Sequence, residues 1–383
     1  MRSADVLIVG AGVVGAFHAY HAARLGYSVL LIERNAWPND ASTRNFGMIA
    51  RSIVEPGTVW EDYALETRAI YGQIQAEHDI TVRVTGSLYL ASTDLERRVL
   101  TEYAGQAGND EHCTFLESPD ALERYPFIEP DYCRGALLFP DDLAVDPRQM
   151  LRRLIPYLEA TGRITYVPRT QISSLEVFGD RCRAVDARGN RFEAEHAFVC
   201  TGAEYRTLFP SRLDDDAADV CKLQMLRTIP FADFRLPHSL MSGLSIRRYP
   251  AFASCPSLER LQAEPIDQDL ATFDIHLLFK QEIDGTIVIG DSHEHSPADE
   301  AANLEERTNP TINNAILRYA RRMIRLPDWR LSACWNGYFV VPKMPTDEHT
   351  AIDGRIHLVV PIGGRGMTTA PGLARRSIER VLR

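Results

Sequence analysis

Residues Asp5 to Glu33 read DVLIVGAGVVGAFHAYHAARLGYSVLLIE, and this stretch decides the fold. Asp5 to Val9 is a short, mostly apolar run of the kind that forms a strand buried on both faces. It runs into Gly10-Ala11-Gly12-Val13-Val14-Gly15. Ala16 to Leu25 then reads as an alanine-rich helix closed by Gly26 in a C-terminal cap position. Ser28 to Ile32 is a second apolar strand, ending at Glu33. Together they make a complete βαβ unit. The three glycines serve different ends. Gly10 allows the tight turn, Gly12 lets a pyrophosphate approach the backbone, and Gly15 lets the helix pack on the strand. The helix start at Val13 and Val14 offers free N–H groups and a partial positive charge to the phosphates. Glu33, at the tip of the second strand, is placed to bind ribose hydroxyls and would repel a 2′-phosphate, which disfavours NADP. The motif alone does not separate FAD from NAD, and an ordinary glycine turn is the plain alternative.

Around this unit the composition sets bounds. A chain of 383 residues, 45% hydrophobic and 25% charged, has the makeup of a globular protein with room for two domains. Its formal net charge of -10 argues against nucleic acid as a partner, though a local cluster of Arg or Lys can still bind a small anion. The seven cysteines are odd in number and none forms a C-x-x-C pair, so reduced thiols and a cytoplasmic location are expected. The apolar run after Arg2 mimics a signal peptide, but its glycines and the helix and strand that follow mark a folded motif. No apolar run reaches the 18 residues a membrane helix needs, and no membrane partner is expected.

Further along, Pro147 to Ala160 is patterned as a helix with Met150, Leu151, Leu154 and Leu158 on one face. Strands follow at Ile164 to Val167 and Ile172 to Val177, then a hairpin-like stretch from Arg181 to Glu195 and a strand at Ala197 to Cys200 before Thr201-Gly202. Ile356 to Val360 reads as a buried strand leading into Gly363-Gly364-Arg365-Gly366-Met367 and a terminal helix, with Pro371 in its first turn. Between these lie two helical patterns and a possible β-pair around Val84 to Leu90 within Trp60 to Pro140. Strands at Ile275 to Lys280 and Thr286 to Ile289, and a charged helix from Leu304 to Ile324, come later. The expected fold is α/β: a discontinuous Rossmann-type cofactor domain from residues 1–50, 145–215 and 335–383, and a mostly antiparallel α+β substrate domain from 51–144 and 216–334.

Two runs carry the resemblance to a family. Ala41-Ser42-Thr43-Arg44-Asn45-Phe46-Gly47-Met48 and the Gly363 to Gly372 loop resemble the D-amino-acid-oxidase-type superfamily of FAD enzymes, which includes glycine and sarcosine oxidases. The likeness extends in motif order to Asp146-Pro147 and to Phe198 through Ala203. It implies FAD as cofactor. It adds Arg34, Ser42, Thr43, Arg44, Asn45, Gly47, Met48, Ile172, Thr201, Gly202, Gly364, Arg365, Gly366, Met367 and Thr368 to the cofactor-binding set. Backbone N–H groups at the start of the terminal helix would stabilise negative charge developing on the flavin pyrimidine. A covalent link through Cys334 is not expected, because its neighbours Trp335-Asn336-Gly337 do not match an attachment pattern.

Four runs resemble a narrower branch associated with phosphonate metabolism. They are Arg44 to Met48, Cys221 to Thr228, Gly290-Asp291-Ser292-His293 and Gly366 to Thr369. The branch implies oxidation of amines such as 2-aminoethylphosphonate or its N-methyl derivative. One departure fits: where the wider superfamily often carries a carboxylate-clamping Arg after Trp-x-Gly, this chain has Tyr338 after Trp335-Asn336-Gly337. A tetrahedral phosphonate would instead be held by distributed donors, with Arg44, Arg247, Arg248, Lys343 and Arg365 as candidates.

Amine oxidation needs a neutral nitrogen, although a free alkylamine has a pKa of about 10; desolvation or a nearby base must supply the neutral form. The candidate catalytic residues are His293, first among the histidines, with Tyr338 and Trp335; His276, His295 and His349 rank lower. Met48, Lys222, Gln224, Arg247 and Lys343 are candidate substrate contacts. Lys222 and Gln224 alternate on one strand and so share a face, either cavity or solvent. No metal site is expected, since His293-x-His295 alone is weak for zinc. The electron acceptor is oxygen or another species. The alternatives are a glycine- or sarcosine-type amino-acid oxidase and a flavin-binding subunit with little activity alone.

Overall fold

The computed structural model describes every residue except 107, 109–110, 205–206, 210–217, 298–303, 305, 344–349 and 360–362. Val360, the expected last residue of a strand, and His349 therefore lie outside the described residues.

The βαβ unit forms as its sequence dictates. Strands Val6–Val9 and Val29–Ile32 pair in parallel, joined by helix Val13–Arg24. They sit in a six-stranded sheet ordered Ile164–Val167, Val29–Ile32, Val6–Val9, His196–Val199, Ile356–Leu358 and Thr350–Ile352. All pairings are parallel except the last. Alternate residues on the central strands enter two different cores, which explains their unbroken apolar runs. Val6, Ile8, Val29 and Leu31 pack under helices Val13–Arg24, Val59–Glu77, Pro147–Glu159 and Gly366–Leu382. Leu7, Val9, Leu30 and Ile32 face Ile172, Leu175, Cys182, Ala184 and Phe192 on the opposite side. Those last residues belong to a four-stranded sheet built from Arg2–Ser3, Arg191–Ala194, Arg181–Asp186 and Ile172–Phe178. Helix Val13–Arg24 is buried along most of its length, and its small alanines let the neighbouring helix come close.

The rest of the chain is organised by a nine-stranded sheet in which Ala218–Thr228 pairs along nearly its whole length with Leu331–Pro342. Its pairings are antiparallel except Ser239–Met241 with Ser87–Ala91. Strands Leu278–Gln281 and Ile287–Gly290 pair directly.

Several local expectations change. The pair expected around Val84 to Leu90 does not form. Arg83–Val84 joins Leu143–Ala144 in a small sheet, whereas Ser87–Ala91 joins Gly135–Phe139 in the large one. Gly86, at φ +67, redirects the chain between the two. Among the described residues, the segment from 59 to 140 holds three helices, Val59–Glu77, Asp94–Ala104 and Ser118–Arg124; the middle one starts with a capping box in which Thr93 and Glu96 satisfy each other's backbone N–H groups. The charged helix starts at Pro310, with Asn309 as its N-cap, not at Leu304. Pro371 falls in the second turn of helix Gly366–Leu382, because the helix begins at Gly366.

Candidate functional site

A cavity of about 490 Å³ lies between the parallel sheet and the large sheet, and both line it. The parallel side contributes the glycine turn. Gly10 has φ +101, and a Cβ there would come within 2.5 Å of the Cys200 carbonyl oxygen; a Cβ on Gly12 would meet Ser42 Oγ at 3.0 Å. The turn thus keeps its backbone bare toward the cavity. Val13 N–H donates to Ser42 Oγ at 3.0 Å. The first-turn amides lack intrahelical acceptors, the feature that makes a helix start a candidate site for phosphate. Glu33 is fixed by two backbone donors, Ala11 N–H at 3.1 Å and Asn35 N–H at 2.9 Å, one to each carboxylate oxygen. Both oxygens keep a lone pair for hydroxyl donors, and Glu33 lines the cavity. These features fit a dinucleotide.

The Ser42 to Met48 loop forms another wall, with Arg34, Ile172, Thr201 and Gly202 nearby. Asn45 braces it, accepting from Gly47 N–H at 2.7 Å and donating to the Ala41 carbonyl at 2.8 Å. Arg44 donates to the Asn39 and Asn336 carbonyls at 2.9 and 3.2 Å, tying the loop to strand Leu331–Pro342. Gly364, Arg365, Gly366 and Met367 close the wall at the start of the terminal helix. Among the described residues Arg365 has no carboxylate partner. Its guanidinium lies 4.6 Å from the centre of the Trp60 ring, and burial lowers its pKa. A cation and a helix N-terminus at one place favour an anionic group beside them.

The large sheet supplies a polar cluster: Arg248, Tyr249, His276, Asp291 and His293. Arg248 pairs with Asp274 at 2.6 Å. His293 Nδ1 lies 3.2 Å from the Asp274 carbonyl oxygen. His276 and Asp291 exchange backbone hydrogen bonds of 2.7 and 2.6 Å, which sets His276 Nδ1 3.5 Å from an Asp291 carboxylate oxygen. Burial pulls His293 down to about 4. His276 is lowered for the same reason, against the opposing pull of Asp291. Burial pushes Asp291 up, but His293, His276 and Arg248 outweigh it, and its carboxyl lies below the usual value. Of these three, Arg248 alone is a permanent cation; the imidazoles draw Asp291 down only when charged, a form their burial disfavours.

Several candidates sit elsewhere. Gly15 is buried under the turn, where a Cβ would lie 1.8 Å from the Gly10 carbonyl oxygen. Thr43 donates to the Asp40 carbonyl at 3.2 Å. Thr368 Oγ1 accepts from Ala50 N–H at 3.3 Å and staples the loop to the terminal helix. Trp335 does not line the cavity: its indole N–H donates to the Arg44 carbonyl at 3.1 Å, and Arg227 covers its ring at 4.9 Å. Tyr338 borders the cavity, yet its ring packs against the Ala218, Val220 and Val340 cluster. It stands directly across from Lys222 and so shares that residue's face.

The Lys222 and Gln224 side chains themselves reach neither cavity nor solvent. Lys222 pairs with Glu294 at 2.9 Å. Gln224 Nε2 donates to the Asn309 carbonyl at 2.9 Å and to Asn313 at 2.5 Å. It is Leu223, on the other face, that reaches the cavity. Arg247 donates to the Glu264 carbonyl at 2.9 Å, leaving Arg248 on the cavity side. Lys343 is exposed and lies 3.8 Å from Asp219. Cys334 is a partly exposed thiol that accepts from Asn313 at 3.6 Å. His295 borders the cavity from an exposed position. No group of metal-ligating side chains occurs among the described residues, and no described helix is long and apolar enough to cross a membrane. Tyr249 and Asp291 were absent from the sequence-derived candidates. Asp291 had a signal, since it stands two residues before His293 in the run Gly290-Asp291-Ser292-His293.

With this geometry in place, comparison with known proteins is informative. The model of the FAD dependent oxidoreductase (DAO) family matches residues 5–380, and the chain belongs to that family, whose cofactor is FAD. It is 28% identical over 211 residues to glycine oxidase of Geobacillus kaustophilus, and 26% identical over 216 residues to that of Bacillus licheniformis. Those alignments cover 52% and 54% of this chain and 54% and 56% of the relatives, so about half the length of each relative is matched. Among solved structures, Geobacillus kaustophilus glycine oxidase superimposes with a TM-score of 0.78 at 18% identity, covering 99% of this chain and 95% of that one. An L-alpha-glycerophosphate oxidase from Mycoplasma pneumoniae with FAD bound gives a TM-score of 0.78 at 16% identity, covering 100% and 95%. At these identities the structural likeness shows the fold.

Proposed function

We propose that the protein is an FAD-dependent oxidoreductase that oxidises a small amine carrying an anionic group. The observation that carries the reading is the cavity that joins the glycine turn and Glu33 to the buried Arg248, His276, Asp291 and His293 cluster. When bound, FAD supplies the two-electron acceptor for the C–H bond beside nitrogen. The protein's own residues bind, orient and exclude water. Gly12, the Val14 amide and the Ser42 hydroxyl bound by Val13 N–H would hold the pyrophosphate, and Glu33 would take the ribose hydroxyls. Arg365 and the N-terminus of the terminal helix offset negative charge at the other end of the cofactor. Leu223 and Phe339 line the cavity as apolar walls. A desolvated ammonium loses its proton more readily than one in water. A covalent link through Cys334 is not expected, because Cys334 stands off the cavity.

Within this class we place an aminophosphonate such as 2-aminoethylphosphonate first. Its support is the four sequence runs of the phosphonate-associated branch, together with Tyr338 where a carboxylate-clamping Arg would stand. A glycine- or sarcosine-type amino-acid substrate has its own support in the similarity to glycine oxidases. An anaerobic screen separates them. Bleaching of the flavin absorbance by 2-aminoethylphosphonate or its N-methyl derivative, and not by glycine or sarcosine, supports the first. Bleaching by glycine or sarcosine alone refutes it in favour of the second, and no bleaching by any amine leaves a flavin-binding subunit as the better reading.

A further inference from the structure

The amine reading leaves one requirement without a residue: something must take the ammonium proton. The lining carries few groups able to do so. Glu33 is engaged by two backbone amides at the dinucleotide turn. Asp40 is paired with Arg34 at 2.5 Å. His293 has its Nδ1 against the Asp274 carbonyl, and among the described residues no carboxylate lies within salt-bridge distance of its ring to offset an imidazolium. His276 differs from all of these. It is 4% exposed, it lines the cavity, and its buried Nε2 has no hydrogen-bond partner among the described residues. A buried ring nitrogen left bare is costly unless a ligand satisfies it.

Resting on the amine-oxidation reading, we propose that His276 is the catalytic base, accepting the substrate ammonium proton at Nε2, and that Asp291 is its positioning residue. The Asp291 carboxylate oxygen lies 3.5 Å from Nδ1, a placement that favours the ring proton at Nδ1 and leaves the Nε2 lone pair free. The reciprocal backbone hydrogen bonds hold the two residues side by side, next to strands Leu278–Gln281 and Ile287–Gly290. The transfer is balanced: an N–H bond of the ammonium breaks, its electron pair stays on nitrogen, and the proton forms a bond to Nε2. The imidazolium so formed is offset by Asp291. Other groups around His276 act on the same equilibrium. Tyr249 presents its ring edge at 4.9 Å, and His293 lies 6.2 Å away between ring centres. Arg248, held by Asp274, adds positive charge that disfavours a second cation. An ammonium in this setting is easier to deprotonate than in water, while Asp291 makes the imidazole a better acceptor.

Two measurements on the FAD-loaded protein test the assignment. In histidine-¹⁵N-labelled protein at neutral pH, the signals lost in H276Q should report a protonated Nδ1 and a bare Nε2. D291N should shift that tautomer, and a ring protonated at Nε2 in the wild type overturns the proposal. In anaerobic flavin reduction by 2-aminoethylphosphonate or glycine, H276Q should slow reduction at neutral pH by roughly 10²- to 10⁴-fold. The rate should recover as pH approaches the amine's own value of about 10. D291N should show a smaller loss with the same recovery, which keeps the test alive if H276Q misfolds. If the variants follow the wild-type pH profile, the base assignment fails while amine oxidation stands; if no amine reduces the wild-type flavin, both fail together.

Discussion

Replacing Gly15 by alanine tests whether the first turn works by close approach. The added Cβ would sit 1.8 Å from the Gly10 carbonyl oxygen and 3.2 Å from Ile8 Cγ2. Ordinary contact of carbon with such atoms needs about 3.5 Å, so the helix start must lift off strand Val6–Val9 by roughly 1 Å or more. Overpacking of this kind costs about 1–3 kcal/mol. In a chain of 383 residues each kcal/mol lowers the melting temperature by only ~1 °C. The same displacement carries Val13 and Val14 away from the pyrophosphate. If ~2 kcal/mol of binding is lost with it, FAD affinity falls ~30-fold. Gly26→Ala is the matched control. Gly26 has φ +99 but nothing within 4 Å of its would-be Cβ. It should therefore lose stability through backbone strain alone and still bind FAD normally. Thermal melts of the apoprotein and fluorescence titration with FAD read the two effects. A Gly15→Ala protein that melts with the wild type and binds FAD equally would refute the close-approach argument.

Three further outcomes are expected. Lys280 is buried against Glu282 at 2.9 Å and the Val145 carbonyl at 2.5 Å; Lys280→Met should destabilise by ~3–5 kcal/mol, and adding Glu282→Gln should recover part of it in the same denaturation series. Asp142 is buried and pushed up to about 6, chiefly by burial. Its folded pKa is raised, so its contribution is fully present below the unfolded value of 3.8 and is lost as pH rises through 6; Asp142→Asn should raise the melting temperature at pH 8 more than at pH 5. His21, whose Nε2 meets the Pro371 carbonyl at 3.0 Å, is pulled down to about 3, chiefly by burial. The unfolded chain takes up this proton below about 6.5 and the folded chain only near 3, so its contribution is lost as pH falls across that window; His21→Gln should flatten the acid limb of a stability-against-pH curve, and an unchanged slope would remove His21 from the account.

The βαβ unit and its glycine turn were legible in the sequence because their geometry is local. The turn from Gly10 to Gly15, the helix after it and Glu33 lie within one βαβ unit, so their spacing alone sets their relations. The unbroken apolar runs also announced a sheet covered on both faces. Side-chain facing across the large sheet was not legible in the same way. Leu223 reaches the cavity while Lys222 and Gln224 turn from it, and a one-residue step reverses that choice. Arg247 and Arg248 are equivalent on paper until helix Gly243–Arg248 packs and sends one toward Glu264 and the other toward Asp274. His276 and Asp291 are separated in the sequence by the strands Leu278–Gln281 and Ile287–Gly290 and the turn between them. Only the pairing of those strands brings the imidazole to the carboxylate. The sequence by itself determined the dinucleotide turn, because a turn answers to its own residues; the tertiary structure decided the polar cluster opposite, because that depends on which strands meet and in which register.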